Sequence, residues 1–206
     1  MMQDSKIVQL EATRRDYAGE VLARAFHDDP LYMLVLPEEG KRARALPWLF
    51  DKVVQYSLLY GEVYTTPAVE GVACWLPPGR TELTLGRMVR CGLHVMPLKM
   101  GLAAYRQFNT YMGYADAFHA RYAPEPHWYL WAIGVDPGSQ GKGIGSRLIQ
   151  PILKRADAIG MACYLETEME RNVRFYRKHG FEVVDGGKVP KLGAQVWAMV
   201  REPANA

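Results

Sequence analysis

Apolar residues follow two periods along this chain, one typical of helices and the other typical of strands. They recur every three or four positions in residues 13–26 and 43–60, which predicts two helices, the first capped by Thr13. Residues 31–36 are apolar but lie between prolines, which favours a loop or a short turn of helix. Short runs with strand composition predict β-strands at residues 7–10, 62–66 and 72–76.

The second half of the chain has a strand, a glycine-rich turn and a helix in direct succession. Residues 128–135 have strand composition, residues 136–139 form a turn cluster, and residues 140–145 (QGKGIG) open a helical pattern. A further strand is predicted at residues 162–167, so strand, helix and strand form a parallel unit. A glycine-rich turn before a helix binds anions, because free backbone N–H groups and the positive helix end point outward.

The spacing of the glycines decides which anion-binding motif this is. A P-loop would require glycine at Asp136 and serine or threonine at Gly143. A dinucleotide fingerprint would require its third glycine at Ser146. The pattern Q-x-x-G-x-G, in residues 140–145, fits without a gap. It resembles the pyrophosphate loop of the GNAT superfamily of acetyl-CoA-dependent N-acyltransferases.

A second signature of that superfamily, N-x-x-F-Y-x-x-x-G-F, runs from Asn172 to Phe181 on a predicted short helix that stops at Gly180. Further motifs resemble the puromycin N-acetyltransferase branch, and they occupy residues 133–146, 165–167, 171–176, 180–181, 189–190 and 197–203. The resemblance is strong over residues 127–203 and weaker before them. The sequence departs from the pattern of that branch at residues 168–170 (EME), which contain two additional acidic residues. This departure bears on which substrate is predicted and not on which cofactor.

The resemblance implies an α/β (α+β) GNAT fold, in which helices flank a mixed central sheet of about six or seven strands. A length of 206 residues suits a single domain, taken as residues 1–206. Residues 77–126 are longer than a simple connection, and helical patterns at 83–93 and 96–122 predict a helical insertion. We expect it to pack near the active cleft, either as part of the acceptor site or as a purely structural cap.

Composition and charge exclude several other classes of protein. A hydrophobic content of 49% supports a full core, and a net charge of +3 without a basic block argues against nucleic acid as a partner. Three widely spaced cysteines indicate neither a disulfide framework nor zinc, and the histidines show no H-x-x-x-H pattern, so no metal is predicted. The first six residues are polar and no long apolar run follows, so we expect a soluble cytoplasmic protein without a membrane partner. It would be a monomer or a homodimer.

The resemblance also implies which residues hold acetyl-CoA. The loop would bind the pyrophosphate through backbone amides, aided by charge from Lys142 or Arg147. Residues 133–135 would splay from the parallel neighbour strand, bond the pantetheine amides and polarise the thioester carbonyl. Gly134 fits a bulge or a close approach there. The expected cofactor-binding set is Ile133, Gly134, Val135, Gln140, Gly141, Lys142, Gly143, Ile144, Gly145, Ser146, Asn172 and Tyr176.

Two residues are the candidates for catalysis. In the family that the chain resembles, a tyrosine in the position of Tyr176 is the general acid, and a phenol remains protonated at neutral pH. Glu166, at the carboxyl end of its strand, is the candidate general base, acting through water. Four other residues stay open as the base: Glu168, Glu170, His119 and His127.

The sequence therefore predicts an N-acetyltransferase that uses acetyl-CoA and a small-molecule primary amine by direct transfer in a ternary complex. Glu166, Glu168 and Glu170 would attract a cationic amine, and the Tyr, Phe and Met of residues 77–126 would suit an apolar or aromatic one. Acetylation of protein N-termini or lysines is an alternative, and a non-catalytic CoA-binding regulatory module is another.

Overall fold

The structure, a computed structural model, describes residues 6–204. Its strands are β1 (Val8–Gln9), β2 (Glu62–Thr65), β3 (Gly71–Leu76), β4 (Trp128–Val135), β5 (Cys163–Thr167), β6 (Glu182–Lys188) and β7 (Gln195–Arg201). Its helices are α1 (Arg15–Ala25), α2 (Pro30–Val35), α3 (Glu39–Tyr60), α4 (Leu85–Arg90), α5 (Met96–Met100), α6 (Leu102–Tyr122), α7 (Ile144–Ala158) and α8 (Glu170–Arg177). Residues 1–5, which belong to the polar start of the sequence, lie outside the described residues.

The strands form one seven-stranded sheet in the order β1-β2-β3-β4-β5-β7-β6. Neighbouring strands are antiparallel except β4 and β5, which run parallel. Their pairing ends at Tyr129 with Tyr164, although β4 continues to Val135 and β5 to Thr167. The two strands therefore diverge beyond Tyr129. A mixed sheet flanked by helices confirms the predicted fold class.

Helices cover both faces of the sheet, because successive side chains of a strand point to opposite faces. In β3, Val72, Cys74 and Leu76 belong to a core that also contains residues of α1, α3 and α6. Ala73 and Trp75 belong to the other core, with residues of α7 and α8. The strand is buried on both faces, as its unbroken apolar run indicates.

Strand β4 contains one residue more than β3 opposite it. Two successive residues of β3 pair with Ala132 and Leu130, so Trp131 is the extra residue of a β-bulge. Gly134 is not the bulge. It allows the close approach of α1, because a Cβ at Gly134 would lie 2.7 Å from the Cβ of Ala25.

Two predicted helix starts in the first half are wrong. Thr13 lies inside a 3₁₀ turn and α1 begins at Arg15, so Thr13 does not cap that helix. Helix α3 begins at Glu39, ahead of the predicted start at residue 43. The reason is Arg42, a buried residue whose guanidinium donates to the carbonyl oxygens of His27 and Leu36 at 2.9 and 2.8 Å. These bonds fix the first turn of α3 against the preceding chain.

Residues 77–126 contain α4, α5 and α6. The predicted helix 96–122 is divided at Gly101, whose φ of 87° lies outside the helical range. Tyr111, Ala115 and Phe118 on α6 are buried and belong to the same core as α1 and α3. The segment is thus integrated into the molecule. Among residues 6–204, no helix combines the length and the apolar character that crossing a membrane requires.

Candidate active site

A cavity of about 600 Å³ lies where β4 and β5 diverge. One side of it is formed by the end of β4 and the glycine-rich loop, and another by the end of β5 with α8. Aromatic and apolar residues of α1, α2, α3 and α6 form the remaining wall. Thus the divergence of two parallel strands creates the space, and the helical segment 77–126 helps to enclose it.

The glycine-rich loop at the start of α7 has a backbone that only glycine adopts easily. Gly141 and Gly143 have φ values of 77° and 72°, in the left-handed region. The first helical hydrogen bond runs from the N–H of Arg147 to the carbonyl of Gly143. The N–H groups of Ile144 and Gly145 precede that bond and lie at the positive end of α7. The loop is therefore built as an anion site.

Arg147 adds positive charge beside the loop. Its Nη1 donates to the carbonyl oxygen of Lys142 at 3.1 Å, whereas its buried Nε has no hydrogen-bond partner within residues 6–204. Arg147 is not among the lining residues, so its charge acts on the loop from beside the cavity.

The polar side chains of the loop differ in whether they line the cavity. Gln140 lines the cavity and its Nε2 donates to the carbonyl of Val135 at 3.1 Å, which ties the loop to the end of β4. The ammonium of Lys142 lies 3.3 Å from the carbonyl of Gly138, outside the lining residues. Every other residue of the expected cofactor-binding set lines the cavity. Lys142 is thus the member of the set that the structure does not bring to the site.

The end of β4 has a free edge toward the cavity. One side of the strand pairs with β3 as far as Val135, whereas pairing with β5 ends at Tyr129. Within the described chain, no strand covers the β5 side of residues 130–135. Their backbone groups can bond an extended ligand as an added strand would.

Helix α8 contributes Asn172 and Tyr176 to the cavity. The amide of Asn172 donates to the Thr167 hydroxyl at 3.0 Å, which ties the start of α8 to the end of β5. Burial, with the charge of Glu168, raises the pKa of the Tyr176 phenol well above its ordinary value. That phenol is therefore a proton donor throughout the neutral range.

Three carboxyl groups line the cavity: Asp29, Glu166 and Glu168. Burial raises the pKa of Glu166 to about 7, although the hydroxyl of Tyr129 donates to it at 2.8 Å. Burial and the neighbouring Asp29 raise the pKa of Glu168 to about 8, although Tyr111 donates a hydrogen bond to it. Each carboxyl group can thus change its charge near neutral pH.

Asp29 is the site residue that the sequence did not identify. The Asp-Pro pair at the start of α2 signals a helix cap, and Oδ1 of Asp29 does accept the N–H of Leu31 at 2.9 Å. No sequence signal shows that the rest of this carboxyl group lines a cavity formed with α8, β4 and β5.

The other open candidates for the base lie away from the cavity. Glu170 is exposed and forms an ion pair of 3.3 Å with Arg174. His119 and His127 lie 2.7 Å apart between their Nε2 atoms, and His119 stacks on Tyr164. Burial lowers the pKa of His119 to about 4, so this ring is neutral at pH 7. None of the three lines the cavity.

Comparisons with known proteins agree with this geometry. The acetyltransferase (GNAT) family matches residues 77–181. An uncharacterized N-acetyltransferase of Schizosaccharomyces pombe is 29% identical over 210 residues, which cover 95% of this chain and 82% of that protein.

Solved structures with a similar fold include two acetyltransferases. A histone acetyltransferase HPA2 and related acetyltransferase from Corynebacterium glutamicum has a TM-score of 0.66 at 20% identity, covering 97% of this chain and 96% of its own. Arylalkylamine N-acetyltransferase 2 from Aedes aegypti has a TM-score of 0.64 at 15% identity, covering 96% of this chain and 98% of its own. At these identities the likeness shows the fold alone.

Proposed function

Because the chain belongs to the acetyltransferase (GNAT) family, we propose that this enzyme transfers the acetyl group of acetyl-CoA to the primary amine of a small molecule. The transfer is a direct attack in a ternary complex. One observation carries the proposal: a continuous cavity joins the anion-binding loop, the buried phenol of Tyr176 and a group of titratable carboxyls. The residues proposed as donor site, general acid and amine site thus line one cavity.

The residues present fit acetyl-CoA. The backbone amides at the start of α7 suit the pyrophosphate, and the guanidinium of Arg147 adds positive charge beside the loop. Side chains larger than hydrogen are disfavoured at Gly141 and Gly143, where φ is positive. The free edge of β4 at residues 130–135 suits the amides of the pantetheine arm, with Asn172 at the opposite side. Acetyl-CoA supplies the activated acyl group when it is bound.

Two side chains carry the proton transfers in this proposal. Glu166, as carboxylate, accepts a proton from the incoming ammonium through water, which leaves a neutral amine to attack the thioester carbonyl. A backbone N–H of the β4 edge polarises that carbonyl. The phenol of Tyr176 gives its proton to the leaving thiolate and regains one from the nitrogen that has become an amide. The products are an N-acetylated amine and CoA with its thiol, and Glu166 returns the first proton to solvent.

A small-molecule acceptor is favoured over a protein by the walls of the cavity. Residues of α2, α3 and α6 enclose the space beyond Tyr176, and most of them are aromatic or aliphatic. We propose that the segment 77–126 forms part of this acceptor wall within one domain. An acceptor from the puromycin N-acetyltransferase branch stays a hypothesis, which rests on the motifs in residues 127–203.

The test is release of CoA thiol from acetyl-CoA in the presence of a panel of acceptors, with the product identified by mass spectrometry. The panel holds puromycin, arylalkylamines, polyamines and peptides with a free N-terminus or lysine. Thiol release with a small amine supports the proposal, and release with peptides alone replaces it by protein acetylation. Binding of CoA without release for any acceptor would leave a non-catalytic module.

A further inference from the structure

Asp29 lines the cavity, and one of its carboxylate oxygens has no hydrogen-bond partner among residues 6–204. Its side chain is 2% exposed, and Oδ1 is used in capping α2 through the N–H of Leu31. The second oxygen, Oδ2, is buried and has no hydrogen-bond partner among residues 6–204. A buried carboxylate oxygen without a partner is costly, so a residue of this kind fits a ligand that donates to it. Capping requires only one oxygen of Asp29, and it leaves the other free for that ligand.

Glu168 is the second carboxyl group at this position. Both groups line the same cavity, and the pKa of Glu168 is raised first by burial and then by the charge of Asp29. Tyr111 donates a hydrogen bond to Glu168. The pKa values of Tyr32 and Tyr176 are raised mainly by burial and further by the charge of the same carboxyl group. The pair therefore lies among phenols, which donate hydrogen bonds but carry no positive charge.

Other charged groups near the pair compensate it only in part. Burial raises the pKa of Asp29 to about 6. Arg171 lines the cavity and opposes this shift, yet within the described chain it forms no ion pair with Asp29 inside 4 Å. Glu166 lies on the same side and raises the pKa of Glu168 further. A cation from outside the protein would thus relieve the repulsion among these carboxyls.

The acceptor side of the cavity beyond the carboxyls is apolar. Phe26 stacks on Phe50 at 4.8 Å, and Tyr32 packs against Phe50 and Phe108 at 5.6 and 6.2 Å between ring centroids. The neighbouring lining residues are aliphatic or thioether side chains: Leu31, Leu49, Val53, Leu83, Met88, Leu93, Met96 and Met112. The lining residues of α6 include the uncharged Tyr105 and Asn109 but no carboxyl group, so a second ammonium on this side would have no anionic partner.

We propose that Asp29 and Glu168 bind the ammonium group of a monoamine acceptor whose remaining body is aromatic or aliphatic. The inference rests on the proposed function and names the acceptor class of that site. Asp29 and Glu168 fix the charged end beside Tyr176, and the aromatic wall holds the body. A dication such as agmatine or putrescine pairs one end in the same way but buries its second charge without a partner.

The first test is binding of 2-phenylethylamine to the CoA-saturated protein, followed by calorimetry. Asp29→Asn keeps an oxygen for the cap of α2 and removes the charge, and it should weaken this binding at least tenfold. Asp28→Asn makes the same change one residue earlier at an exposed position outside this cavity, and it should leave binding unchanged. Glu168→Gln should act like Asp29→Asn, with exposed Glu170→Gln as its control. CoA affinity should stay at the wild-type value in all four variants.

The second test compares acceptors in the wild-type enzyme. Thiol release from acetyl-CoA should show a kcat/KM for 2-phenylethylamine or heptylamine at least tenfold above that for agmatine or putrescine. The proposal is overturned if Asp29→Asn and Glu168→Gln both bind 2-phenylethylamine as wild type does, or if the dications are preferred. Turnover of dications or peptides without turnover of monoamines would contradict a monoamine acceptor, while the protein would still be an acetyltransferase. An absence of turnover for every amine contradicts the proposed function itself.

Discussion

The hydroxyl of Tyr129 donates a hydrogen bond of 2.8 Å to Oε2 of Glu166. Tyr129 is the last residue of β4 that pairs with β5, and Glu166 lies on β5 just beyond its partner Tyr164. The bond therefore spans the two strands where they begin to diverge. It lowers the pKa of Glu166, but burial raises it by more, to about 7. A carboxyl group with that pKa is partly ionised at neutral pH and can exchange protons there.

The first prediction concerns the pH dependence of acetyl transfer. Only the carboxylate form of Glu166 accepts a proton, so kcat at saturating amine, where the ammonium is already bound, should rise with pH through about 7. Glu166→Gln should lower kcat by roughly 10²–10⁴, the usual worth of a general base, and remove this limb of the profile. Glu182→Gln, at an exposed position of β6, should keep the wild-type profile. A limb near pH 7 that persists in Glu166→Gln would assign the base to another group.

The second prediction concerns stability and follows from Glu168. Burial raises its pKa from an ordinary value of 4.5 to about 8. At pH values between these two, the folded state still holds a proton that the unfolded state has released. The free energy of unfolding therefore falls as pH rises through that range. Glu168→Gln removes this loss while an oxygen still accepts from Tyr111.

Thermal melts at several pH values measure the effect. Relative to wild type, Glu168→Gln should gain at least about 2–4 °C in Tm at pH 9, the shift that ~1 kcal/mol causes in a chain of this size. The gain should disappear below pH 4.5, where both states of the wild type hold the proton. A gain that is the same at pH 4 and pH 9 would argue against titration of Glu168 as its cause. Glu170→Gln, which is exposed, is the control.

Local chemistry accounts for what the sequence could predict. The strand 128–135, the glycine-rich loop and α8 are specified by composition and spacing within a few residues, so their order and bounds agree with the structure. The structure also places Gln140, Tyr176 and Glu166 around one cavity, as motif spacing suggested. Their catalytic roles are still predictions.

Tertiary contacts decide what the sequence could not predict. Arg42 is charged, yet it is buried because its guanidinium donates hydrogen bonds to backbone carbonyl oxygens. As a result α3 begins earlier than the apolar pattern predicts. Gly134 is required by α1, more than a hundred residues earlier in the chain, and not by a bulge. Asp29 lines the cavity because α2 packs against α3 and α6. The sequence pattern near residue 29 does not indicate this packing.

The third prediction tests the glycine-rich loop. Gly143 has a φ of 72° at the start of α7, so Gly143→Val places a β-branched side chain in a strained backbone over the anion site. CoA affinity should fall at least tenfold by calorimetry. Gly160→Val imposes the same strain, at a φ of 64°, beyond the other end of α7 and outside the cavity. It should lower stability and leave CoA affinity unchanged, which separates strain from loss of the site.

Gly145 provides a variant of the loop without backbone strain. Its φ is not positive, and a Cβ there would make ordinary contact with Phe175 at 3.4 Å. Gly145→Asp should keep the fold, because an acid is tolerated in the first turn of a helix. Its carboxylate would repel the pyrophosphate, so CoA binding should be lost. Wild-type affinity in both Gly143→Val and Gly145→Asp would show that the pyrophosphate lies elsewhere.

The fourth prediction concerns the general acid. Tyr176→Phe removes the phenol hydroxyl and keeps the ring that packs against Phe181 at 5.8 Å. It should lower kcat by roughly 10²–10⁴ and leave CoA affinity near wild type, the pattern of an interaction made in the transition state only. Tyr17→Phe makes the same change at an exposed position and should be silent. An unchanged kcat in Tyr176→Phe would mean that the thiolate takes its proton from water.

The last prediction asks whether α6 forms the acceptor site or only a structural cap. Removing the helix would expose Tyr111, Ala115 and Phe118 in the core, so point substitutions are the sharper test. Phe108 lines the cavity and packs against Tyr32, whereas Phe118 lies on the same helix away from the lining residues.

Phe108→Leu should raise the KM for an apolar amine about tenfold or more, since a change in the shape of an apolar pocket typically costs that much in discrimination. The KM for acetyl-CoA should not change, because the loop and the β4 edge are intact. Phe118→Leu should lower Tm and leave both KM values at wild type. If Phe108→Leu also lowers only Tm, α6 is a cap, and the amine is held by the carboxyls and by the residues of α2 and α3.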